Sequence, residues 1–289
     1  MTSISMDISS KLDHTEVEVL VEIALLMRNL HLSFFVIGAT ARDIVFEAIF
    51  DLPIKRATLD MDFGIRVRSW TEYNHLRDEM LRLGHFENDK KKVERMHHIS
   101  GKLVDLVPFG PVEEPSGMIL WPPDKDIVMR TVGFEEALQS SIDVTVSHDP
   151  ETVVKVCTPA ALAVMKIISW RENYPARKKD AEDLFVLLKD YIKLGNEMRL
   201  YEADLDLHED KEFDFDTVGA RLLGRDITKL ASPETLGIIK NIMDQETADE
   251  SNLNLISDMI SGIMRDDQSA NTRLKLLKQL NKGLWDMVR

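Results

Sequence analysis

The sequence is poor in cysteine and has no long apolar run. Its single cysteine, Cys157, excludes a disulfide within one copy of the chain and is typical of a protein from a reducing compartment. No apolar run reaches the roughly 18 residues that a membrane-spanning helix needs, and the first residues lack the basic start and apolar core of a signal peptide. We therefore expect a cytoplasmic protein with no membrane partner.

Basic residues are also scarce relative to acidic ones. The chain has 36 Lys and Arg against 50 Asp and Glu, a net charge of −14. This balance disfavours a broad basic face for nucleic acid, but it still allows a local basic groove at residues 90–92 or 177–179. Much of the acidic excess lies in residues 202–216, which we interpret as a solvated linker.

The first half of the chain mixes strand and helix patterns, whereas the second half is helical. Alternating or continuous apolar runs predict strands, and apolar residues at every third or fourth position predict helices. The predicted strands lie at 33–38, 59–67, 95–100, 102–110, 142–147 and 153–157, and the first helices at 15–29, 39–50 and 71–83. Later helices are predicted at 160–171, 177–193, 216–223, 232–245, 253–264 and 271–287. The pattern predicts an α+β protein, with a mixed-sheet domain over 1–157 and a helical domain over 158–289.

The central feature is the pair Asp60 and Asp62 in a predicted strand. Side chains alternate across a strand, so both carboxylates point to one side, with Met61 and Phe63 on the other. Two carboxylates on one face repel each other unless a cation lies between them, and Mg²⁺ commonly bridges carboxylates to substrate phosphates. An exposed acidic pair in a turn is the alternative interpretation.

Two further features point to the same chemistry. Gly38 stands where a buried strand turns into a helix, a place where backbone N–H groups bind anions, and the Thr40 hydroxyl would add a donor. Asp105 lies inside an apolar strand, where a carboxylate is costly to bury unless it is paired or metal-bound. Three converging carboxylates suit two Mg²⁺ ions that clamp a phosphoryl or nucleotidyl displacement, with Asp105 as the candidate to activate an attacking hydroxyl.

Basic and acidic residues also cluster in the first two helices of the second half. Lys166 is flanked by apolar residues, which favours a lysine partly embedded in structure, and it precedes Asp180 and Asp183. The charge of a nucleoside triphosphate needs a cation, which this cluster would supply. A solvated helix face with local ion pairs is the alternative.

Taken in order along the chain, these motifs resemble the nucleotidyltransferase superfamily, which has the polymerase-beta-like fold. They resemble more closely the abortive-infection AbiEii-type nucleotidyltransferase group, which includes toxins of bacterial toxin–antitoxin pairs. The motifs that carry the resemblance are Gly38-Ala39-Thr40-x-x-Asp43, Arg56-Ala57-Thr58-Leu59-Asp60-Met61-Asp62-Phe63, Asp105 in its apolar strand, and Lys166…Arg171…Lys179-Asp180-Ala181-Glu182-Asp183-Leu184. The resemblance covers about residues 33–195 and implies a nucleotidyltransferase-like mixed sheet flanked by helices.

The resemblance also implies roles for individual residues. The implied catalytic residues and Mg²⁺ ligands are Asp60, Asp62 and Asp105. The implied nucleotide-binding residues are Gly38, Thr40, Arg42, Lys166, Asp180 and Asp183. Arg42 is included because, with Asp43, it resembles the turn of tRNA-terminal nucleotide-adding enzymes. Ala39 departs from the pattern, since the superfamily usually has Gly-Gly or Gly-Ser at this turn.

The leading hypothesis is an Mg²⁺-dependent transfer of a nucleoside monophosphate from an NTP to an acceptor hydroxyl on RNA such as tRNA, on a protein or on a small molecule. The alternative is a nucleotidyltransferase-like module that binds nucleotide or regulates without catalysis, which Ala39 supports and the three retained acids oppose. A third hypothesis, compatible with the first, is the toxin of a toxin–antitoxin pair with an antitoxin protein as its partner. It rests on the resemblance alone.

Overall fold

The computed structural model describes residues 6–54, 60–210, 213–248, 253–260 and 267–286. The chain divides into two compact units, Met1–Thr158 and Pro159–Arg289. The lead-in to Asp60 at residues 55–59 lies outside the described residues, and with it the predicted start of the strand at Leu59 and the segment from Arg56 to Thr58 that carried part of the resemblance.

The first unit is built on a mixed β-sheet. Its strands are β1 (Met6–Asp7), β2 (Ser33–Ile37), β3 (Asp60–Arg66), β4 (Phe86–Asn88), β5 (Arg95–His98), β6 (Leu103–Phe109), β7 (Met118–Leu120), β8 (Val128–Arg130), β9 (Ile142–His148) and β10 (Glu151–Val156). Eight of them form one sheet in the order β1-β9-β10-β2-β3-β6-β5-β4, while β7 pairs with β8. Strand β3 runs antiparallel to β2 and parallel to β6, which makes the sheet mixed. The fold class predicted from the sequence is confirmed.

Helices accompany this sheet. They are α1 (His14–Leu30), α2 (Gly38–Asp43), α3 (Trp70–Arg82) and α4 (Phe134–Gln139). Side chains cap two of them, because Asp13 accepts from the N–H of Glu16 in α1 and Ser69 accepts from the N–H of Glu72 in α3. Helix α2 continues as the π-helical segment Ile44–Ile49, so the helix predicted over 39–50 changes its hydrogen-bond pattern after its first turns.

The second unit is helical. Its helices are α5 (Pro159–Glu172), α6 (Lys178–Asp190), α7 (Leu205–His208), α8 (Phe215–Leu230), α9 (Pro233–Thr247), α10 (Asn254–Met259) and α11 (Asp267–Trp285). Helices α8 and α11 pack closely at Gly224 and Gly283, since a Cβ at Gly224 would lie 2.3 Å from the Leu280 carbonyl oxygen. Parts of the helices predicted at 253–264 and 271–287 fall on residues outside the described ranges. No described helix is both long and apolar enough to cross a membrane.

Most described acidic residues of the segment 202–216 are exposed, as a solvated segment predicts, but some of its acids pair with arginines of α8. Asp204 is buried and accepts a hydrogen bond from Arg225 at 3.1 Å, and Asp210 accepts from Arg221 at 2.6 Å. The two arginines lie one turn apart on α8 and therefore share a face of that helix. Arginines of α8 thus pair with two acids of this segment and hold part of it against that helix.

Candidate active site

Three carboxylates meet on one face of the first unit's sheet, and we call Asp60, Asp62 and Asp105 the carboxylate face. On β3 the intervening Met61 and Phe63 are buried, while the Asp60 side chain is 39% exposed. The parallel register of β3 with β6 sets Asp62 beside Asp105. The alternation of side chains along β3 therefore gives the shared face that the sequence predicts.

Arg95 bridges two of these carboxylates, and sequence reasoning missed it. It stands opposite Asp105 in the antiparallel pairing of β5 with β6. Its Nε donates to Asp105 Oδ1 and its Nη2 to Asp105 Oδ2, both at 2.7 Å, and Nη2 also donates to Asp60 Oδ2 at 2.6 Å. The hydrogen bonds that Arg95 donates to Asp105 are the largest cause that raises the pKa of Arg95 above its ordinary range, and burial opposes them. The guanidinium therefore stays charged between the two acids.

Arg95 also changes what the three carboxylates require. They were expected to repel one another unless a metal lay between them, whereas Arg95 already supplies a cation to Asp60 and Asp105. The sequence did contain a sign of this pairing, because the strands predicted at 95–100 and 102–110 are separated by Gly101 alone. Counting back from the turn at Gly101, which has a φ of +88°, places Arg95 across from Asp105.

The turn between β2 and α2 packs directly against the carboxylate face. Gly38 has a φ of +64°, and a Cβ there would lie 2.2 Å from Asp62 Oδ2. The Thr40 hydroxyl donates to the backbone carbonyl of Asp60 at 2.9 Å. Both residues thus fix the turn against β3. Because the Thr40 hydroxyl hydrogen is already donated to that carbonyl, its binding to phosphate stays a prediction that requires this bond to break.

Arg42 is buried and does not extend into solvent. Its Nε and Nη2 donate to Asp43 Oδ1 at 2.8 and 2.6 Å. Such a charge-assisted fork holds the side chain against its own helix. A nucleotide-binding role for Arg42 stays a prediction.

The remaining predicted residues come together in the second unit, where Lys166, Asp180, Asp183 and Arg177 form what we call the lysine cluster. Lys166 Nζ donates to Asp180 Oδ1 at 2.9 Å and to Asp183 Oδ2 at 2.7 Å. Ser169 Oγ and Arg177 Nε both donate to Asp180 Oδ2 at 2.9 Å. The acids lie three residues apart on α6 and face the lysine on α5. The cluster joins these two helices and is not the solvated face of the alternative interpretation.

Burial and charge oppose each other in the lysine cluster, and charge prevails. Burial alone would lower the pKa of Lys166, but the charges of Asp180 and Asp183 raise it above the ordinary value. Burial alone would raise the pKa of Asp180, but Lys166 and then Arg177 lower it. Lys166 and Asp180 therefore stay ionised at neutral pH.

The carboxylate face has the donor chemistry of a magnesium site. Its oxygens are the hard ligands that Mg²⁺ takes, and Asp60 is open enough to solvent to admit an ion with its waters. Asp105 accepts one hydrogen bond on each oxygen from Arg95, and a carboxylate has about four lone-pair positions, so acceptor capacity remains. Asp60 and Asp62, with Asp105 beside them, are the residues that fit the ion.

Comparisons with solved structures give only weak similarities. The antibiotic-resistance factor ANT(2'')-Ia has a TM-score of 0.37 and 16% identity, over 68% of this chain and 98% of that chain. A nucleotidyltransferase-like protein from Paracoccidioides brasiliensis has a TM-score of 0.40 and 17% identity, over 68% and 92%. The Thermotoga maritima CCA-adding enzyme complexed with tRNA has a TM-score of 0.28 and 10% identity, over 91% and 70%. At such TM-scores these similarities carry no argument about this chain.

The family of this chain is shown by its match to a sequence-family model. A search of curated proteins finds no match. The model of the family described as nucleotidyl transferase AbiEii toxin, Type IV TA system, matches residues 24–269, well over half of the chain. The chain therefore belongs to the AbiEii nucleotidyltransferase toxin family.

Proposed function

We propose that this protein transfers a nucleoside monophosphate from an NTP to an acceptor hydroxyl, with the carboxylate face as its catalytic centre. The observation that carries the proposal is the strand register that sets Asp62 beside Asp105, with Asp60 on the same face of β3. The chain's membership of a nucleotidyltransferase family supports the reaction class.

Each residue of the carboxylate face has a role in this proposal. Asp60 and Asp62 would hold Mg²⁺, and Asp105 would complete the ligand set or accept the proton of the attacking hydroxyl. When bound, Mg²⁺ neutralises phosphate charge and favours an in-line displacement. The acceptor oxygen forms a bond to the α-phosphorus, the bond from that phosphorus to the bridging oxygen breaks, and pyrophosphate leaves. Arg95 orients Asp105 and Asp60 through its hydrogen bonds.

The nucleotide-binding set is proposed on the resemblance of the motifs. Gly38 would let the triphosphate approach the backbone next to Asp62, where a side chain has no room. The other members of the set are Thr40, Arg42, Lys166, Asp180 and Asp183. Among them, Lys166 is engaged in the ion pairs of the lysine cluster, so a contact with phosphate would have to exchange with a carboxylate.

The proposal is tested by incubating the protein with each labelled NTP and a cell extract, then asking whether label enters RNA, protein or small molecules. The Asp60→Asn and Asp62→Asn double variant should transfer no label. Asp143→Asn is a matched control, because Asp143 also lies on a strand of this sheet and is paired with Lys155 at 3.0 Å. Equal labelling by the double variant and the wild type would refute the assignment.

A second candidate function is a nucleotide-binding or regulatory module without catalysis. Arg95 favours it, because two of the acids are satisfied without metal and their retention no longer argues for an active site. Calorimetry with Mg²⁺ and each NTP, run beside the labelling experiment, separates the candidates. Binding of an NTP without any labelled product would favour the module.

Toxicity and an antitoxin partner are proposed on family membership. Expression of the wild-type chain should arrest bacterial growth, and the Asp60→Asn and Asp62→Asn double variant should relieve the arrest. Normal growth with folded wild-type protein at a similar level would count against the toxin role, while leaving the nucleotidyltransferase proposal to the labelling experiment.

A further inference from the structure

Three side chains with metal-ligand chemistry meet in the first unit, outside the carboxylate face. Glu22 lies on α1, His85 precedes β4, and His98 ends β5. One ligand atom from each lies within 4.8 Å of the other two. The Glu22 carboxylate stands between the imidazoles, with Oε1 2.8 Å from His85 Nδ1 and Oε2 3.4 Å from His98 Nε2.

This group is separate from the proposed catalytic centre. Arg95 and His98 are three residues apart on β5, so their side chains leave opposite faces of the strand. Arg95 turns to Asp60 and Asp105, whereas His98 turns to Glu22 on α1. Strand β5 therefore contributes Arg95 to one face of the sheet and His98 to the other.

The donor set indicates a particular class of ion. Two imidazole nitrogens and a carboxylate oxygen suit Zn²⁺ and its neighbours among the transition metals, whereas Mg²⁺ prefers oxygen alone. Tetrahedral zinc with bonds of about 2.0–2.1 Å places its ligand atoms roughly 3.3 Å apart, which is close to the 3.4 Å between His98 Nε2 and Glu22 Oε2. The 2.8 Å between His85 Nδ1 and Glu22 Oε1 is a hydrogen-bond distance, so these two atoms would move apart by about 0.5 Å to take up the ion. The His85 side chain is 45% exposed, which leaves a path for the ion and for a water ligand.

The surroundings of His98 can support a metal-binding tautomer. Its side chain is 0% exposed, and its Nδ1 lies 2.7 Å from Ser100 Oγ and 3.2 Å from the Ser100 backbone nitrogen. The hydroxyl can accept from Nδ1–H, which leaves the Nε2 lone pair directed at Glu22 and the ion. In the absence of metal the backbone N–H can donate to Nδ1 instead, and Nε2–H then faces the carboxylate. Ser100 thus serves both states.

We propose that Glu22, His85 and His98 bind one Zn²⁺ ion or a transition metal of the same class. Three elements that are distant in the sequence would then be fastened at one point: α1, the segment entering β4, and the end of β5. Since β5 also carries Arg95, the ion would hold the strand that positions the counter-ion of the carboxylate face.

The test is a calorimetric titration of the chelator-treated protein with Zn²⁺, followed by the visible spectrum with Co²⁺. With excess Mg²⁺ present to compete at the carboxylate face, the wild type should bind one Zn²⁺ ion per chain, and with Co²⁺ it should give the spectrum of a cobalt–imidazole site. His85→Gln and Glu22→Gln should each weaken binding by at least about tenfold. His85 is half-exposed, so its variant should fold even if a change at buried His98 does not.

Two controls locate the ion. His75→Gln removes an exposed histidine that lies 3.8 Å from Glu79, and it should bind Zn²⁺ like the wild type. The Asp60→Asn and Asp62→Asn double variant should also keep the ion. The proposal is overturned if the wild type shows no saturable binding, if His85→Gln and Glu22→Gln bind as the wild type does, or if the double variant loses the ion.

Discussion

The carboxylate face and the lysine cluster contain the same kinds of residue in different balance. In the first unit, Asp60 and Asp105 share the single guanidinium of Arg95. In the lysine cluster, two carboxylates meet two cations. The Asp60 side chain is 39% exposed, whereas that of Asp180 is 3% exposed. The carboxylate face has more negative than positive charge and is partly exposed, so it can bind a further cation. The lysine cluster has equal numbers of acids and cations, and its ion pairs join α5 to α6.

This contrast separates the effects expected on catalysis from those expected on stability. Changes in the carboxylate face should affect nucleotide transfer more than folding, because the Asp60 side chain is partly exposed to solvent. Changes in the lysine cluster should affect folding first, because removal of one carboxylate leaves the buried Lys166 with only one of its two charged partners.

The largest effect on stability is expected for Asp180→Asn. The mostly buried Lys166 would keep only Asp183 as a charged partner, and the half-exposed Arg177 would lose its partner Asp180. The free energy of unfolding should therefore fall by about 3–5 kcal/mol, as for a broken buried ion pair. Urea unfolding measures this loss. Asp143→Asn, which breaks a more exposed pair, should change stability by less than about 1 kcal/mol. Similar stability of the two variants would contradict the structural role of the lysine cluster.

A somewhat smaller effect is expected for Arg95→Ala in buffer without divalent ions. The variant leaves Asp105 buried without its fork of hydrogen bonds, at a cost of about 3 kcal/mol. Addition of Mg²⁺ should restore part of this loss, so the rise in melting temperature with Mg²⁺ should be larger than in the wild type. Arg95→Lys, which keeps the charge but loses the planar fork, should lie between them. If Mg²⁺ raised the melting temperature equally in the wild type, Arg95→Ala and Arg95→Lys, Arg95 would not compete with the metal for the carboxylates.

A smaller cost in stability, with a clear loss of activity, is expected for Gly38→Ala. The left-handed backbone costs an alanine about 1–2 kcal/mol, and the new Cβ would displace Asp62. A displacement of about 1 Å at a reacting group can reduce the rate of nucleotide transfer about 100-fold. Gly84→Ala is the matched control, since Gly84 has a φ of +76° and open space around it. Labelling that falls equally in both variants would show that backbone strain, and not Asp62, is responsible.

The smallest effect is a pH dependence assigned to the lysine cluster. The pKa of Asp180 is lowered from its ordinary value of 3.8, so its contribution to stability is present above that value and lost as pH falls through the lowered pKa. The pKa of Lys166 is raised from 10.5, so its contribution is present below that value and lost as pH rises through the raised pKa. The difference in urea midpoint between wild type and Asp180→Asn should therefore stay constant from about pH 6 to about pH 4 and shrink below about pH 4. A difference that stays constant below about pH 4 would contradict the assignment.

The sequence was sufficient for features that depend on local periodicity. The two-residue alternation of β3 placed Asp60 and Asp62 on one face, and the apolar spacing predicted a helix at 71–83 where α3 lies. Gly38 was expected at the end of a buried strand, and it lies there. Each of these features is determined by neighbours within a few positions along the chain.

Features that depend on pairing between distant segments were missed. Arg95 was predicted only as the first residue of a strand, and its importance comes from the β5–β6 register. Asp204 was assigned to a solvated linker, because its partner Arg225 lies on a later helix. Glu22 and His98 are 76 positions apart, and no local pattern connects them. Periodicity gives the face of a strand or helix on which a side chain lies, but not the residue that it meets.

The central claim is that the carboxylate face performs nucleotide transfer without being required for folding. The most direct test measures labelled-NTP transfer and the free energy of unfolding on the same preparations of wild type and the Asp60→Asn and Asp62→Asn double variant. We predict a loss of transfer of about 1,000-fold or more, as expected when several kcal/mol of transition-state stabilisation is lost, with stability within about 1 kcal/mol of wild type. Retained transfer in the double variant, or a variant that is inactive only because it unfolds, would contradict the claim.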